Sequence, residues 1–421
     1  MNSGDTGFVL VAAALVFIMT PGLGFFYGGL GRRKNVINNI MASTFILGLG
    51  IFMWVLIGYS LSFTGDNYGI IGSLSNFGLK DIGFTDPSPY APTIPSLAFV
   101  AFQMMFALIT PAIITGAVAG RMNFKALFIF IALWSIVVYY PLAHMVWGNG
   151  YLGANGIQSI DFAGGNVVHI SSGVSGLVLC ILLGKRQGYA STSYRVHNVP
   201  FVALGMAMLW FGWFGFNAGS ALAANELAAH AFMTTAIATA AGLLSWMAID
   251  MVLKNKPTLI STCTGVVVGL VAITPGAGFV PIWAALIIGA SAGPVCYFGI
   301  TLIKKRLKID DALDAFGCHG IGGIWGGIMT GVFANPIINS GANPGLVYAN
   351  FAEGFSKGCQ QFIAQIEGVL ISIAVAAIGT LICAFIVKLI TPLRVSKRDE
   401  LIGLDMSQHG ENAYPSFTGL D

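Results

Sequence analysis

The sequence predicts an all-α polytopic membrane protein of eleven transmembrane helices, an inverted five-plus-five repeat followed by one extra helix, with the N-terminus outside and the C-terminus cytoplasmic. Three observations carry that prediction. Of 421 residues, 56% are apolar and only 9% charged, and the mean hydropathy of +0.80 lies far above that of a water-soluble chain. Apolar runs of bilayer length, about 20 residues each, follow one another almost end to end. Basic residues recur in alternate connectors, as they do in a chain that crosses one membrane repeatedly.

The runs lie near residues 7–29, 36–63, 95–119, 126–146, 162–184, 199–219, 229–253, 258–274, 281–303, 312–334 and 365–390. The first follows Asp5 and precedes Arg32, Arg33 and Lys34, so it reads as a retained span and not as a cleaved signal peptide. Further basic connectors carry Arg121 and Lys125, Lys185 with Arg186 and Arg195, Lys254 and Lys256, and Lys304 to Lys308; the last run ends at Lys388, Arg394, Lys397 and Arg398. Of the twenty lysines and arginines only Lys80 and Lys357 fall on the other side, which sets the orientation and requires an odd number of spans. The short run 258–274 must span for the alternation to hold. Residues 1–390 then form the transmembrane domain, with halves of about 7–184 and 199–334 and a last helix at 365–390, and 391–421 form a cytoplasmic tail. Five being odd, the second half enters from the opposite face. His169 in the fifth run and His319 in the tenth occupy equivalent places.

Glycine spacings of four, as at Gly24 and Gly28 or Gly322 and Gly326, are close-packing signals. Pro21, Pro111 and Pro141 read as ordinary membrane-helix prolines. Six scattered cysteines without CxxC spacing indicate neither a disulfide framework nor a zinc site. A formal charge of +3 without a basic domain excludes nucleic-acid binding. With no Walker sequence, nucleotide-binding glycine loop or Ser-His-Asp set, neither ATP-driven pumping nor enzymatic hydrolysis has support, and no cofactor is expected.

Ionisable groups inside a bilayer are costly, which makes the few present here functional candidates. Asp161 opens the fifth run; it can cap the orphan amides of that helix and also add negative potential that favours a cation at the outer mouth. His169 follows two turns deeper. A lone histidine is by default a satisfied core residue, but two at matching depths of two half-repeats favour a shared pathway. Two imidazoles without a third ligand make a poor metal set. Phe102, Phe106, Trp210, Trp213 and Phe216 would by default be core, and Trp147 an interfacial anchor. Yet Trp147, Phe106, Phe216, Ser220 and Asp161 all map toward the outer boundary, where aromatic faces and a hydroxyl acceptor could replace water around a small cation. His144 and His230 read as locally satisfied, Asp250 as an ion-pair partner of Lys254, and Asp310, Asp311 and Asp314 as helix-opening charges.

The run DFAGGNVVHISSGVSGLVLCILLGKR from Asp161 to Arg186 resembles the signature of the ammonium transporter family. The resemblance continues through GFFYGGLGRRKN at 24–35, FQMMFALITPAIITGAVAGR at 102–121, WFGFNAGSALAAN at 213–225, DDALDAFGCHGIGGIWGG at 310–327 and GLDMSQHGENAY at 403–414, nearly the whole chain. It implies a homotrimer in the cell membrane with one narrow apolar pore per subunit. It implies an ammonium site at Trp147, Phe106 and Ser220, a gate of Phe106 and Phe216, a pore pair of His169 and His319, and Asp161 as a supporting carboxylate. It also implies a cytoplasmic PII-type signal protein as partner. Ammonium would be recognised outside, lose its proton and cross as ammonia, with methylammonium as a candidate second substrate; electrogenic and neutral versions share all these residues. A sensor of this fold would carry a signalling domain, a Rhesus-type gas channel would lack Trp147 and Ser220, and a potassium channel would need a carbonyl filter.

Overall fold

A computed structural model describes residues 1–189, 191 and 195–415; residues 416–421 of the expected tail lie outside the described residues. The chain is mostly helical, and among the described residues nine helices are long and apolar enough to cross a membrane. These are α1 (Ser3–Leu30), α2 (Arg33–Phe63), α3 (Ser96–Val118), α4 (Phe124–Trp147), α5 (Gly165–Leu183), α6 (Val199–Gly219), α7 (Glu226–Lys254), α9 (Ile282–Arg306) and α11 (Gln360–Ile390). Two more helices match expected runs but are weaker: α8 (Leu259–Ile273) has 15 residues, and α10 joins a π turn, Phe316–Gly320, to Ile321–Phe333. Glycine and His319 dilute α10, so its hydrophobicity says less about it than its contacts do. The first long connector carries a small antiparallel hairpin, β1 (Pro87–Ser88) with β2 (Ala91–Pro95).

These helices are apolar all round because each has lipid or another helix on every side. Most of α3 and α5 is buried, whereas Phe52 of α2, Leu244 of α7, Phe298 of α9 and Phe385 of α11 are exposed. Helix α5 meets α10 through glycine. A Cβ on Gly173 would lie 2.3 Å from the Gly320 amide nitrogen, and one on Gly323 would lie 3.1 Å from the His169 Cβ. Only hydrogen fits at the first contact. Proline is accommodated without breaking the helices: α1 has a turn at Ile18, just before Pro21, and the π turn Ser135–Tyr139 precedes Pro141 in α4.

The basic connectors gather at one end, where the buried Asp310 carboxylate joins Arg186 at 2.7 Å and lies 3.9 Å from Arg121. The tail folds back onto the same end. Arg394 pairs with Glu400 at 2.7 Å, Asp405 accepts the Asn38 amide, and Tyr414 shares a 2.7 Å hydrogen bond with His197. His197 itself sits half-buried at the foot of α6, and that burial lowers its pKa despite nearby carbonyls.

Candidate functional site

The site starts from two helix openings built alike. At the first, Asp161 Oδ1 accepts the amides of Gly164 and Gly165 at 2.8 and 2.6 Å, and Oδ2 those of Asn166 and Val167 at 2.7 and 3.3 Å. Gly164 has φ +123°, a conformation that favours glycine. The helix then opens as a π turn, Gly165–Ile170. At the second opening, Asp311 accepts the amides of Ala315, Phe316 and Gly317, and Asp314 has φ +60°. Orphan amides at a helix start are expensive when buried, so a carboxylate shared among three or four of them anchors each opening firmly.

Each anchor precedes its histidine by eight residues. The rings meet with Nδ1 of His169 and Nδ1 of His319 3.2 Å apart and centroids 5.2 Å apart. One nitrogen must donate and the other accept, so this pair shares a single proton on that edge. The Nε2 of His169 is buried with no protein partner among the described residues.

Aromatic rings continue the line away from the histidines. His169 stacks on Trp213 at 5.3 Å and on Phe216 at 6.0 Å. Phe216 lies 4.4 Å from Phe106, and Phe106 5.6 Å from Trp147. Trp147 donates its indole N–H to the Asp161 carbonyl at 2.9 Å, so one residue holds both the helix opening and the outermost ring. Phe106, Trp147 and Ser220 line a cavity of about 540 Å³, with Tyr90, Phe99 and Gln103 beside them. The Ser220 hydroxyl donates to the Phe216 carbonyl at 2.9 Å, which leaves its lone pairs as acceptors. The seven candidate residues therefore fall into one contiguous assembly.

Of the other candidates, His144 contacts the Ser62 carbonyl and Asp66, and His230 the Val280 carbonyl. Lys254 and Asp250 pair at 2.7 Å. Asp310 does more than open a helix, since it bridges to Arg121 and Arg186. Two residues escaped the sequence reading, and a third was read as a helix-opening charge but not as the counterpart of Asp161. Gln103 lines the outer cavity with a buried Oε1 that has no partner among the described residues. Gln365 of α11 grips the segment before Asp161, accepting from Ile160 N and Ser159 and donating to the Ile160 carbonyl. Asp311 mirrors Asp161. The last had a signal: Asp161, His169 and Gly173 recur 150 positions later as Asp311, His319 and Gly323. Gln361 and Gln365, one turn apart in an apolar run, were a weaker one.

A bundle of membrane-length apolar helices around two buried histidines defines a multi-pass protein of the plasma membrane. The family model described as Ammonium Transporter Family matches residues 7–414. An ammonium transporter of Bacillus subtilis is 47% identical over 414 residues, covering 98% of this chain and 99% of the relative. One from Archaeoglobus fulgidus is 43% identical, covering 98% and 100%. Among solved structures, Candida albicans Mep2 superposes with a TM-score of 0.86 at 33% identity, over 98% of this chain and 90% of that one. The chain belongs to the ammonium transporter family.

Proposed function

We propose that this ammonium transporter recognises its ion at Trp147, Phe106 and Ser220, removes the proton near the Phe106–Phe216 gate, and passes ammonia between His169 and His319. The observation that carries this reading is the unbroken file of ring contacts from Trp147 through Phe106 and Phe216 to His169 and His319. Magnitudes favour the division of labour. Each aromatic face is worth about 0.5–2 kcal/mol to a cation, and a hydrogen bond to a charged group about 1.5–3 kcal/mol. Together they offset much of the several kcal/mol an ion loses with its water. Deeper in, one face of the file is imidazole and the rest is apolar, so the balance turns against a charge and toward a neutral molecule that both donates and accepts.

The same reading sets eleven spans as two inverted five-helix halves within residues 1–390, plus α11, with the N-terminus outside and the tail cytoplasmic. The clustered basic connectors and the 150-residue recurrence of Asp, His and Gly support it. A homotrimer and a cytoplasmic PII-type partner belong to this reading through the family resemblance. Uptake of labelled methylammonium into cells or proteoliposomes tests it: ammonium should compete strongly and potassium weakly. Equal competition by potassium would refute selective recognition.

A further inference from the structure

A cavity of about 810 Å³ opens at the basic end of the bundle. Part of its wall is the turn Ala312–Asp314 that leads into α10 and His319, with Leu30 and Gly31 from the end of α1. The Ala312 and Leu313 amides donate to the Ala117 and Gly116 carbonyls, so this wall is tied to the end of α3.

Cations converge on this hollow from separate stretches of chain: Arg32 after α1, Lys185 after α5, Arg195 before α6, Lys305 in the last turn of α9 and Lys308 just after it. Asp314 is the one carboxylate in the lining, and Lys304 engages it at 2.5 Å. Lys185, Arg195, Lys305 and Lys308 have no carboxylate partner among the described residues. Membrane orientation explains why cations lie on this side. It does not explain why they face one concavity, where like charges repel. Arginine forks and lysine point charges around a pocket of this size are the chemistry that binds phosphate oxygens.

We propose that this basic cavity binds a phosphate-bearing anion, and that an anion seated there stands across the cytoplasmic mouth of the transport path and slows conduction. Binding follows from the cavity alone; the slowing rests on the transport reading above. The phosphate can come from a soluble polyphosphate or from an acidic lipid headgroup.

The full chain in nanodiscs of neutral lipid is titrated calorimetrically with inorganic pyrophosphate, and a second preparation includes dioleoyl phosphatidic acid. Saturable pyrophosphate binding is expected, weakened at least about tenfold in the double variant Lys305→Gln, Lys308→Gln and by added salt. Both side chains are exposed and outside the transport site, so the variant should keep wild-type methylammonium uptake when pyrophosphate is absent. If phosphatidic acid blocks pyrophosphate in the wild type but not through the variant's cavity, lipid phosphate shares the site; if it has no effect, the soluble anion is the occupant. Binding of pyrophosphate equal in wild type and variant, or no binding of either probe, overturns the proposal. Pyrophosphate bound inside proteoliposomes with unchanged uptake overturns its placement at the mouth. Absence of uptake with pyrophosphate binding intact would count against the transport reading and leave the anion site standing.

Discussion

Replacing Asp161 by alanine strips the acceptor from four amides at once, those of Gly164, Gly165, Asn166 and Val167. A buried donor left without a partner costs about 1–3 kcal/mol. Taking the low end, because a water can enter so polar a gap, the loss is about 4 kcal/mol. Asp161→Asn keeps one acceptor oxygen and orphans two amides, for about 2 kcal/mol, and Asp311→Ala orphans three, for about 3 kcal/mol. The three variants should therefore unfold in the order Asp161→Ala, Asp311→Ala, Asp161→Asn when purified protein is heated in detergent. Transport should fail with the Asp161 variants beyond what stability explains. The Asp161 side chain fixes the segment whose backbone carbonyl at position 161, kept in both variants, accepts from Trp147, and His169 donates its amide to the Gly164 carbonyl at 2.9 Å within the same opening. Equal melting of all three variants and the wild type, or full methylammonium uptake by well-folded Asp161→Ala, would show that these carboxylates do not anchor the two helix openings.

Ser220→Ala and Trp147→Leu should raise the apparent KM for methylammonium several-fold with little change in melting, since both side chains face the outer cavity; loss of membrane insertion would make them structural instead. Gln103→Leu removes a buried oxygen without a partner among the described residues, so melting should hold or rise while KM rises, and an unchanged KM would remove Gln103 from recognition. On a solid-supported membrane, ammonium-evoked charge movement should change in His169→Ala; unchanged charge movement counts against histidine in proton handling. Burial raises the pKa of Asp310, but Arg186 and Arg121 outweigh it and hold the carboxyl below its ordinary range. Its stabilising contribution is therefore complete above the unfolded carboxylate pKa of about 3.9 and disappears as pH falls through the lower folded value. Asp310→Ala should cost about 3–5 kcal/mol at neutral pH by leaving buried Arg121 unpaired, and should flatten the acid limb of melting against pH below about 4.

Much of the bundle was legible because lipid enforces one rule along the whole chain. Every backbone group that crosses must be bonded within its own helix, so spans show as apolar runs whose ends carry charge. The expected runs match helices to within five residues at either end, even at Gln360–Ile390, where the expected start was 365. Asp161 as a cap and the Asp250–Lys254 pair were likewise readable, because each depends on neighbours a turn or so away; His144 is satisfied as buried polar groups are by default, but not locally as expected, since its partners Ser62 and Asp66 come from a distant stretch of chain.

Gln103 and Gln365 were not readable, because nothing local distinguishes a glutamine aimed into a cavity from one tied to another helix. Nor did spacing reveal that Asp310 would be claimed by Arg121 and Arg186, nearly 190 and about 124 positions away in the chain.

The amino-acid pattern on its own determined that this chain is a helical membrane protein, which of its ends is basic, and which few polar side chains are buried in its apolar helices. Tertiary structure alone decided that His169 and His319 share a proton edge and that Trp147, Phe106 and Phe216 lead to them. Helix periodicity is written in residues three and four apart, whereas these meetings depend on two helix backbones touching at Gly173 and Gly323, a distance that only the packing of the whole bundle sets.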